Sequence, residues 1–121
     1  LEDYVSRRSF SDEIARNSYW LDCHPSGNEE KTIQVNPDDN YKKGDSHGIP
    51  FRCLIPENIS NLLVAGRCIS VERIVLSSTR VMPNCLATGE AAGIAATLAI
   101  KENTDVCNIS GEQVMEIIKS N

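Results

Sequence analysis

The sequence predicts an α/β fold, or an α+β fold for this chain taken alone, and three observations carry the prediction. Residues 62–65 are continuously apolar, as in a strand that is buried on both faces of a sheet. Residues 84–101 form a helix made mostly of Ala, Gly and other small residues. Short apolar runs separated by turn residues come earlier in the chain and predict a mainly antiparallel β segment. The two parts are predicted to be residues 1–60 and residues 61–121.

The predicted β part begins with one short helix and continues with strands. Ser11 is of a type that favours the helix N-cap, and acidic residues follow it, which predicts a helix over residues 11–16. Aromatic, β-branched or alternating apolar residues predict strands over residues 18–23, 32–35 and 51–55. Polar and turn-forming residues between these runs predict loops over residues 24–28 and 36–48.

The second part is predicted to run from a strand through a polar loop into two helices. The strand at residues 62–65 ends on Gly66, and the long helix carries Pro83 in its first turn, where a proline loses no helix bond. Gly89 and Gly93 lie four residues apart and therefore share one helix face. This spacing predicts either a close approach by a ligand or sheet, or a tightly packed core helix.

The last helix is predicted over residues 110–120. Ser110 and Gln113 have the residue types and the spacing of a capping box. Three apolar residues at helical spacing form its buried stripe, namely Val114, Ile117 and Ile118.

Composition argues against several classes of function. The 121 residues include 12 basic and 17 acidic side chains, which gives a net charge of −5. The basic residues are scattered, which argues against binding to nucleic acid or to an anionic membrane surface. No apolar run approaches the roughly 20 residues that a membrane-spanning helix needs.

The cysteines indicate a reducing environment. Five cysteines, an odd number, lie far apart and include no C-x-x-C pair. This pattern predicts free thiols without a disulfide framework and without a zinc site, so no metal is expected. Free thiols are typical of a cytoplasmic protein.

The chain begins at Leu1 without signal-peptide features, and we expect a processed chain or a piece of a longer protein.

The junction between residues 62–65 and the long helix predicts a ligand site. A strand that leads to a helix N-terminus brings backbone N–H groups and the positive end of the helix dipole to an anion or an electron-rich ring. Gly66 has no Cβ, so backbone can approach a ligand there, and Arg67 can pair with a phosphate or another anion. The alternative is a strand-end glycine beside a surface arginine. We interpret the segment as one half of a cofactor site.

Two long motifs resemble a known family. They are HGIPFRCLIPENISNLLVAGRCIS and STRVMPNCLATGEAAGIAATLA, with SDEIARNSYWLDCHPSG upstream. Together they are similar to the C-terminal signature of FAD-dependent oxidoreductases of the two-dinucleotide-binding type. More narrowly, they resemble a bacterial family that is distantly related to fumarate reductases and succinate dehydrogenases. The resemblance covers roughly residues 11–118.

The resemblance implies a fold and a set of cofactor contacts. The strand before Gly66 would be the last parallel strand of a Rossmann-like FAD/NAD(P)-binding sheet, and residues 1–60 would form a substrate-side β segment. Gly66 and Arg67 would pass close to the ribityl-pyrophosphate part of FAD. After Pro83, the backbone N–H groups around three residues would face the pyrimidine edge of the flavin, namely Asn84, Cys85 and Leu86.

Two residues are candidates for catalysis by the same resemblance. Arg80 would meet the anionic group of a small-molecule substrate or the flavin edge, and the alternative is a structural ion pair. His24 follows Asp22 in a D-x-H arrangement and would serve as a general acid or base. The alternative for His24 is a surface or hydrogen-bonding residue in a turn.

The motif that binds the ADP pyrophosphate in such enzymes, G-x-G-x-x-G, does not occur in this sequence. The chain is therefore expected to be the C-terminal part of a flavoenzyme whose N-terminal FAD-binding half lies elsewhere, and to be inactive alone. Its exposed apolar surface predicts self-association. Two alternatives remain open at this point, a non-catalytic α+β interaction module and an NAD-binding redox domain.

Overall fold

Four helices and one antiparallel pair of strands make up the part of the chain that the computed structural model describes, residues 1–23 and 42–120. In chain order the elements are α1 Glu2–Val5, β1 Glu13–Asn17, β2 His47–Pro50, α2 Arg73–Thr79, α3 Met82–Glu102 and α4 Gly111–Ser120. Short 3₁₀ turns lie at Phe51–Leu54, Gly66–Cys68 and Val106–Asn108. The fold is thus mixed α+β, with the antiparallel β segment that the sequence predicts. Among the described residues, no helix has both the length and the apolarity needed to cross a bilayer.

The two strands pair in a register that buries Ile14 and Asn17 of β1. Ala15 lies opposite Ile49 and Asn17 lies opposite His47, with an irregularity between Glu13 and Ala15. The prediction of a helix over residues 11–16 is therefore wrong. A helix of six residues has a costly nucleus, whereas pairing with β2 gives this segment backbone hydrogen bonds and buries Ile14.

The segment Phe51–Leu54 is a 3₁₀ turn, so the prediction of a strand over residues 51–55 is also wrong. The N–H of Phe51 donates to the carbonyl of Asp12 at 2.7 Å, and the N–H of Arg52 donates to the Asp12 carboxylate at 3.2 Å. The 3₁₀ spacing aligns Phe51 and Leu54 on one face, and both are buried. Residues 18–23 form no strand, and the predicted strand at 32–35 lies outside the described residues.

Residues 63–65 are only half-buried, and residues 62–65 lie beside no strand in residues 1–23 and 42–120. The N–H of Val64 donates to the carbonyl of Leu54 at 2.8 Å, and Leu62 is exposed. The prediction of a strand buried on both faces therefore fails in this structure, because the described part of the chain offers no neighbouring strand. The polar loop predicted after Gly66 contains the unpredicted helix α2.

Helix α3 lies along the core and is held there by its smallest side chains. Ala91, Ala95 and Ala99 recur at helical spacing and are buried. They pack with residues of the other elements, including Ile14, Ile49, Leu54 and Val114. Because alanine is small, the helix axis can lie close to the strands. Asn103 ends α3 in the left-handed conformation, with φ 50° and ψ 49°.

Helix α4 begins with the capping box that the sequence predicts. The N–H of Gln113 donates to the Ser110 hydroxyl at 3.2 Å, and the Gln113 side-chain carbonyl accepts from the N–H of Ser110 at 3.0 Å. Val114 is fully buried and Ile118 packs against the core. The predictions of both C-terminal helices are therefore confirmed.

Gly111 is expected to tolerate no side chain. A Cβ at this position would lie 2.6 Å from the backbone oxygen of Asp12 and 2.8 Å from the Cβ of Phe51, neither of which can move freely. We expect Gly111→Ala to lower the free energy of unfolding by about 1–3 kcal/mol in urea denaturation. In the control, Gly48→Ala, the new methyl meets only the end of the Glu13 side chain, which can move aside by giving up its ion pair with Arg16, and a loss below about 1 kcal/mol is expected. Equal losses in both variants would contradict this prediction.

His47 is a buried histidine on β2. It is 4% exposed, and its ring centroid lies 4.7 Å from that of Tyr4. Burial, aided by the positive charges of Arg7 and Arg16, lowers the pKa of His47 from 6.5 to about 4. The imidazole is therefore uncharged in the folded protein at neutral pH.

This lowered pKa makes the stability of the fold depend on pH. Between pH 6.5 and about 4 the unfolded chain binds a proton at His47 and the folded chain does not, so stability falls as the pH is lowered through this window. We expect His47 alone to cost about 3 kcal/mol across the window. The check is urea denaturation at several pH values for the wild type and for His47→Gln. The difference between the two pH profiles isolates His47, because both proteins carry the same carboxylates. Parallel pH profiles for the two proteins would show that His47 does not titrate in this way.

Candidate functional site

Gly66 and the start of α3 lie together, as the sequence predicts for the two sides of a ligand site. Gly66 has a left-handed φ of 67°, and a Cβ there would lie 3.7 Å from the Sγ of Cys85. Its N–H donates to the hydroxyl of Thr88 at 3.0 Å. That hydroxyl in turn donates to the carbonyl of Asn84 at 2.8 Å. We call Gly66, Asn84, Cys85 and Thr88 the candidate cofactor site.

The donors at the start of α3 differ from those that the resemblance implies. Val81 is the N-cap and provides no side-chain hydrogen bond, and Pro83 lies in the first turn. The N–H groups of Asn84 and Cys85 donate to the carbonyl of Val81 at 3.1 and 3.2 Å. These two backbone groups are therefore engaged within the chain.

The side chain of Asn84 supplies the unused donor at this end of the helix. Asn84 is 5% exposed, and its Nδ2 has no hydrogen-bond partner in the described part of the chain. A buried amide nitrogen without an acceptor costs about 1–3 kcal/mol, so an acceptor that reaches it would be bound favourably. The positive end of the α3 dipole adds to the attraction for a negatively charged or electron-rich group.

Three other predicted contact residues lie at the surface. Pro83 and Leu86 are exposed on the first turns of α3, and Arg67 is exposed beside Gly66. The guanidinium of Arg67 forms no ion pair or hydrogen bond with residues 1–23 or 42–120. It is therefore available to an anion that approaches this edge.

Arg80 is held by an acidic partner. Its Nη2 donates to the carboxylate of Asp22 at 3.1 Å and to the carbonyl of the same residue at 3.2 Å. This ion pair is the alternative that the sequence left open for Arg80. The guanidinium is still exposed enough to contact a further group, since about two-fifths of the side chain remains accessible. His24, the other predicted catalytic residue, lies outside the described residues.

A buried polar cluster fixes α2 against the segment that carries Asp22. The Nδ2 of Asn17 donates to the Ser78 hydroxyl at 2.8 Å and to its carbonyl at 3.2 Å. The Ser78 hydroxyl donates to the carbonyl of Tyr19, whose N–H donates to the Asn17 side chain at 2.9 Å. Sequence reasoning missed Asn17, Ser78 and Thr88, because each is a common polar residue with a partner far away in sequence.

Neither a metal centre nor a disulfide lies near this site in the residues that the structure describes. No group of three or more His, Cys, Asp or Glu side chains there is placed to hold a metal ion. All five cysteines are free thiols. Burial raises the pKa of Cys53, which keeps that thiol protonated.

One face of α3 is apolar and exposed. Met82, Leu86 and Ile100 are 75%, 74% and 82% exposed, and added methyl groups at Gly89 and Gly93 would meet nothing within 4 Å. We call these five residues the open face of α3. Beside its C-terminal half lies an open groove of about 980 Å³, bounded on the other side by Leu62 and Leu63. Contiguous exposed apolar surface of this kind is typical of an interaction site.

A protein-family model described as FAD dependent oxidoreductase matches residues 1–118. The chain belongs to this family. Comparisons with curated proteins and with solved structures found no match. Membership makes the full-length protein an oxidoreductase that binds FAD. The bacterial origin and the distant relation to fumarate reductases stay predictions.

The candidate cofactor site fits a contact with FAD on two observations. The buried Nδ2 of Asn84 is a hydrogen-bond donor without an acceptor, and FAD offers carbonyl and ring-nitrogen acceptors. Gly66 presents backbone without a Cβ beside the same helix turn. These residues can hold an edge of the cofactor, and the exposed Arg67 can meet its negatively charged part.

The hydrogen bond from Gly66 to Thr88 is expected to hold the two sides of this site together. In Thr88→Val the N–H of Gly66 loses its acceptor, and we expect the free energy of unfolding to fall by about 1–3 kcal/mol. The matched control is Thr97→Val on the exposed side of the same helix, where the hydroxyl bonds only the carbonyl of Gly93 and a change within about 0.5 kcal/mol is expected. Urea denaturation of both variants gives the comparison. An unchanged free energy of unfolding in Thr88→Val would refute the prediction.

Proposed function

We propose that this chain is the C-terminal part of an FAD-dependent oxidoreductase and that the candidate cofactor site contacts the flavin. The observation that supports this most directly is the buried, unpartnered Nδ2 of Asn84 beside the left-handed turn at Gly66. Family membership supports FAD as the bound group, and the buried donor of Asn84 supports this point of contact.

FAD, when bound, supplies the redox chemistry by exchanging a hydride or electrons with a small organic substrate. The side chain of Asn84 donates a hydrogen bond to the flavin edge, and the N-terminal end of α3 favours negative charge there. Arg67 neutralises an anionic part of the cofactor, and Pro83, Cys85 and Leu86 form the wall around the contact.

Arg80 is proposed to orient the substrate on the same side of the molecule. Asp22 and the cluster of Asn17 and Ser78 fix its position, while its accessible part remains open to an anionic group. A guanidinium held in this way loses little side-chain entropy when an anion binds. His24 follows this segment in sequence, and its role as a general acid or base stays a proposal.

The remainder of the protein is proposed to cover the open face of α3. In this arrangement residues 61–121 complete a Rossmann-like FAD-binding domain, and residues 1–60 form the substrate-side β segment. Residues 62–65 become the last strand of the cofactor sheet, paired with a strand of the N-terminal half. The exposure of Met82, Leu86 and Ile100 supports this proposal, because such side chains gain most from burial.

The chain alone is proposed to be inactive and to self-associate through the same face. That face also favours the second candidate function, a non-catalytic interaction module.

An NAD-binding redox domain has no observation in its favour, since the family model is that of FAD enzymes. A cytoplasmic location is proposed from the five free thiols.

The direct test is the visible absorption spectrum of the full-length protein that contains this chain. We expect flavin bands as purified or after reconstitution with FAD. Gly66→Ala is expected to lower the bound flavin several-fold, because it adds a side chain at a left-handed position next to Cys85. The control is Gly44→Ala, which also has a positive φ but has nothing within 4 Å of the added methyl, and it should retain its flavin. Absence of flavin from the reconstituted wild type would defeat the proposal.

A further inference from the structure

A second cavity lies between α1, β2 and α2, away from the residues of the candidate cofactor site. Its volume is about 230 Å³. Two buried polar side chains, His47 and Thr79, contribute to its wall, together with the aromatic rings of Tyr4 and Phe10 and the aliphatic side chain of Val75. Mostly apolar walls with a few polar groups are typical of a small-molecule site.

We propose that this cavity binds a small neutral molecule, namely a ring with one uncharged hydrogen-bonding group such as a phenol, an alcohol or an amide. The proposal stands on the cavity alone and does not rest on the flavin. Its volume lies just below the range of about 300–1,000 Å³ for drug-sized ligands, so the ligand is the size of one substituted ring.

The charges around the cavity favour a neutral ligand. The charged side chains in its wall lie at the exposed rim: Asp3, Arg52 and Glu72 keep 53%, 57% and 65% of their side chains accessible, and Asp3 pairs with Arg8 and Arg52 with Asp12. A charged ligand at the buried inner wall would therefore lose its hydration without gaining a counter-charge. Arg7 and Arg16 also act on His47, and their positive charge opposes a cation at the inner wall.

The wall also has the parts that recognise a ring and one polar group. The rings of Tyr4 and His47 pack against each other at an interplanar angle of 57°, and both residues line the cavity. Val75 and Thr79 are four residues apart on α2 and line the same side. The Thr79 hydroxyl makes only a long contact of 3.4 Å to the carbonyl of Val75, so it can turn toward a ligand at little cost.

The test is a titration of the ¹⁵N-labelled full-length protein that contains this chain with phenol at neutral pH, followed by amide chemical shifts. We expect saturable shifts of His47–Pro50 and Arg73–Thr79 at millimolar phenol, which is the affinity range for a ligand of this size. Benzoate and benzylamine, of similar shape but charged, should bind at least about tenfold more weakly. Shifts that rise linearly without saturation, or equal binding of all three probes, would overturn the proposal.

Two variants locate the site. Val75→Phe fills the cavity and should abolish the saturable phenol shifts, whereas Ala96→Phe, in the groove beside α3, should leave them unchanged. Thr79→Val keeps the shape of the wall and removes the hydroxyl, so it should weaken phenol several-fold and leave toluene binding unchanged. Phenol binding that survives in Val75→Phe, or that is lost equally in Ala96→Phe, would place the ligand elsewhere and refute the assignment.

Discussion

The close packing of α3 against the strands is the constraint on which the rest of the structure depends. Ala91, Ala95 and Ala99 let the helix axis approach the sheet, and this position brings the start of α3 to Gly66. The hydrogen bond from the N–H of Gly66 to Thr88 joins the same helix to the 3₁₀ turn at Gly66–Cys68. The same helix thus organises the hydrophobic core with one face and the candidate cofactor site with its first turns.

The sequence predicts those elements whose signals are local. Helix α3 follows from its composition and α4 from its capping box, since both signals lie within the element itself. The strand predictions fail where a distant partner decides the backbone. Asp12 draws Phe51 and Arg52 into a 3₁₀ turn from forty residues away, and no spacing pattern in the sequence reveals this. Helix α2 is missed for the same reason, because Ser77, Ser78 and Thr79 read as loop residues although they are buried.

The candidate site is predicted in part. Gly66 lies next to Cys85, as the two motifs imply for residues of one site. The sequence does not predict which group is the hydrogen-bond donor at this site, because whether a backbone N–H is free depends on which carbonyl lies near it. Val81 occupies the N–H groups of Asn84 and Cys85, and the Asn84 side chain is left as the buried donor. Arg80 likewise pairs with Asp22 through the folding of α2, and no local pattern in the sequence predicts this pair.

The alanine face of α3 has a mechanical consequence. A helix of 21 residues is about 31 Å long and behaves as a stiff rod over that distance. If a bulkier residue replaced Ala99 near one end, the rod would tilt about its remaining contacts near Ala91 and shift its opposite tip. Substitutions near Ala99, far from the candidate cofactor site, would then change the geometry at Gly66. The small side chains of the core would therefore preserve the alignment of that site.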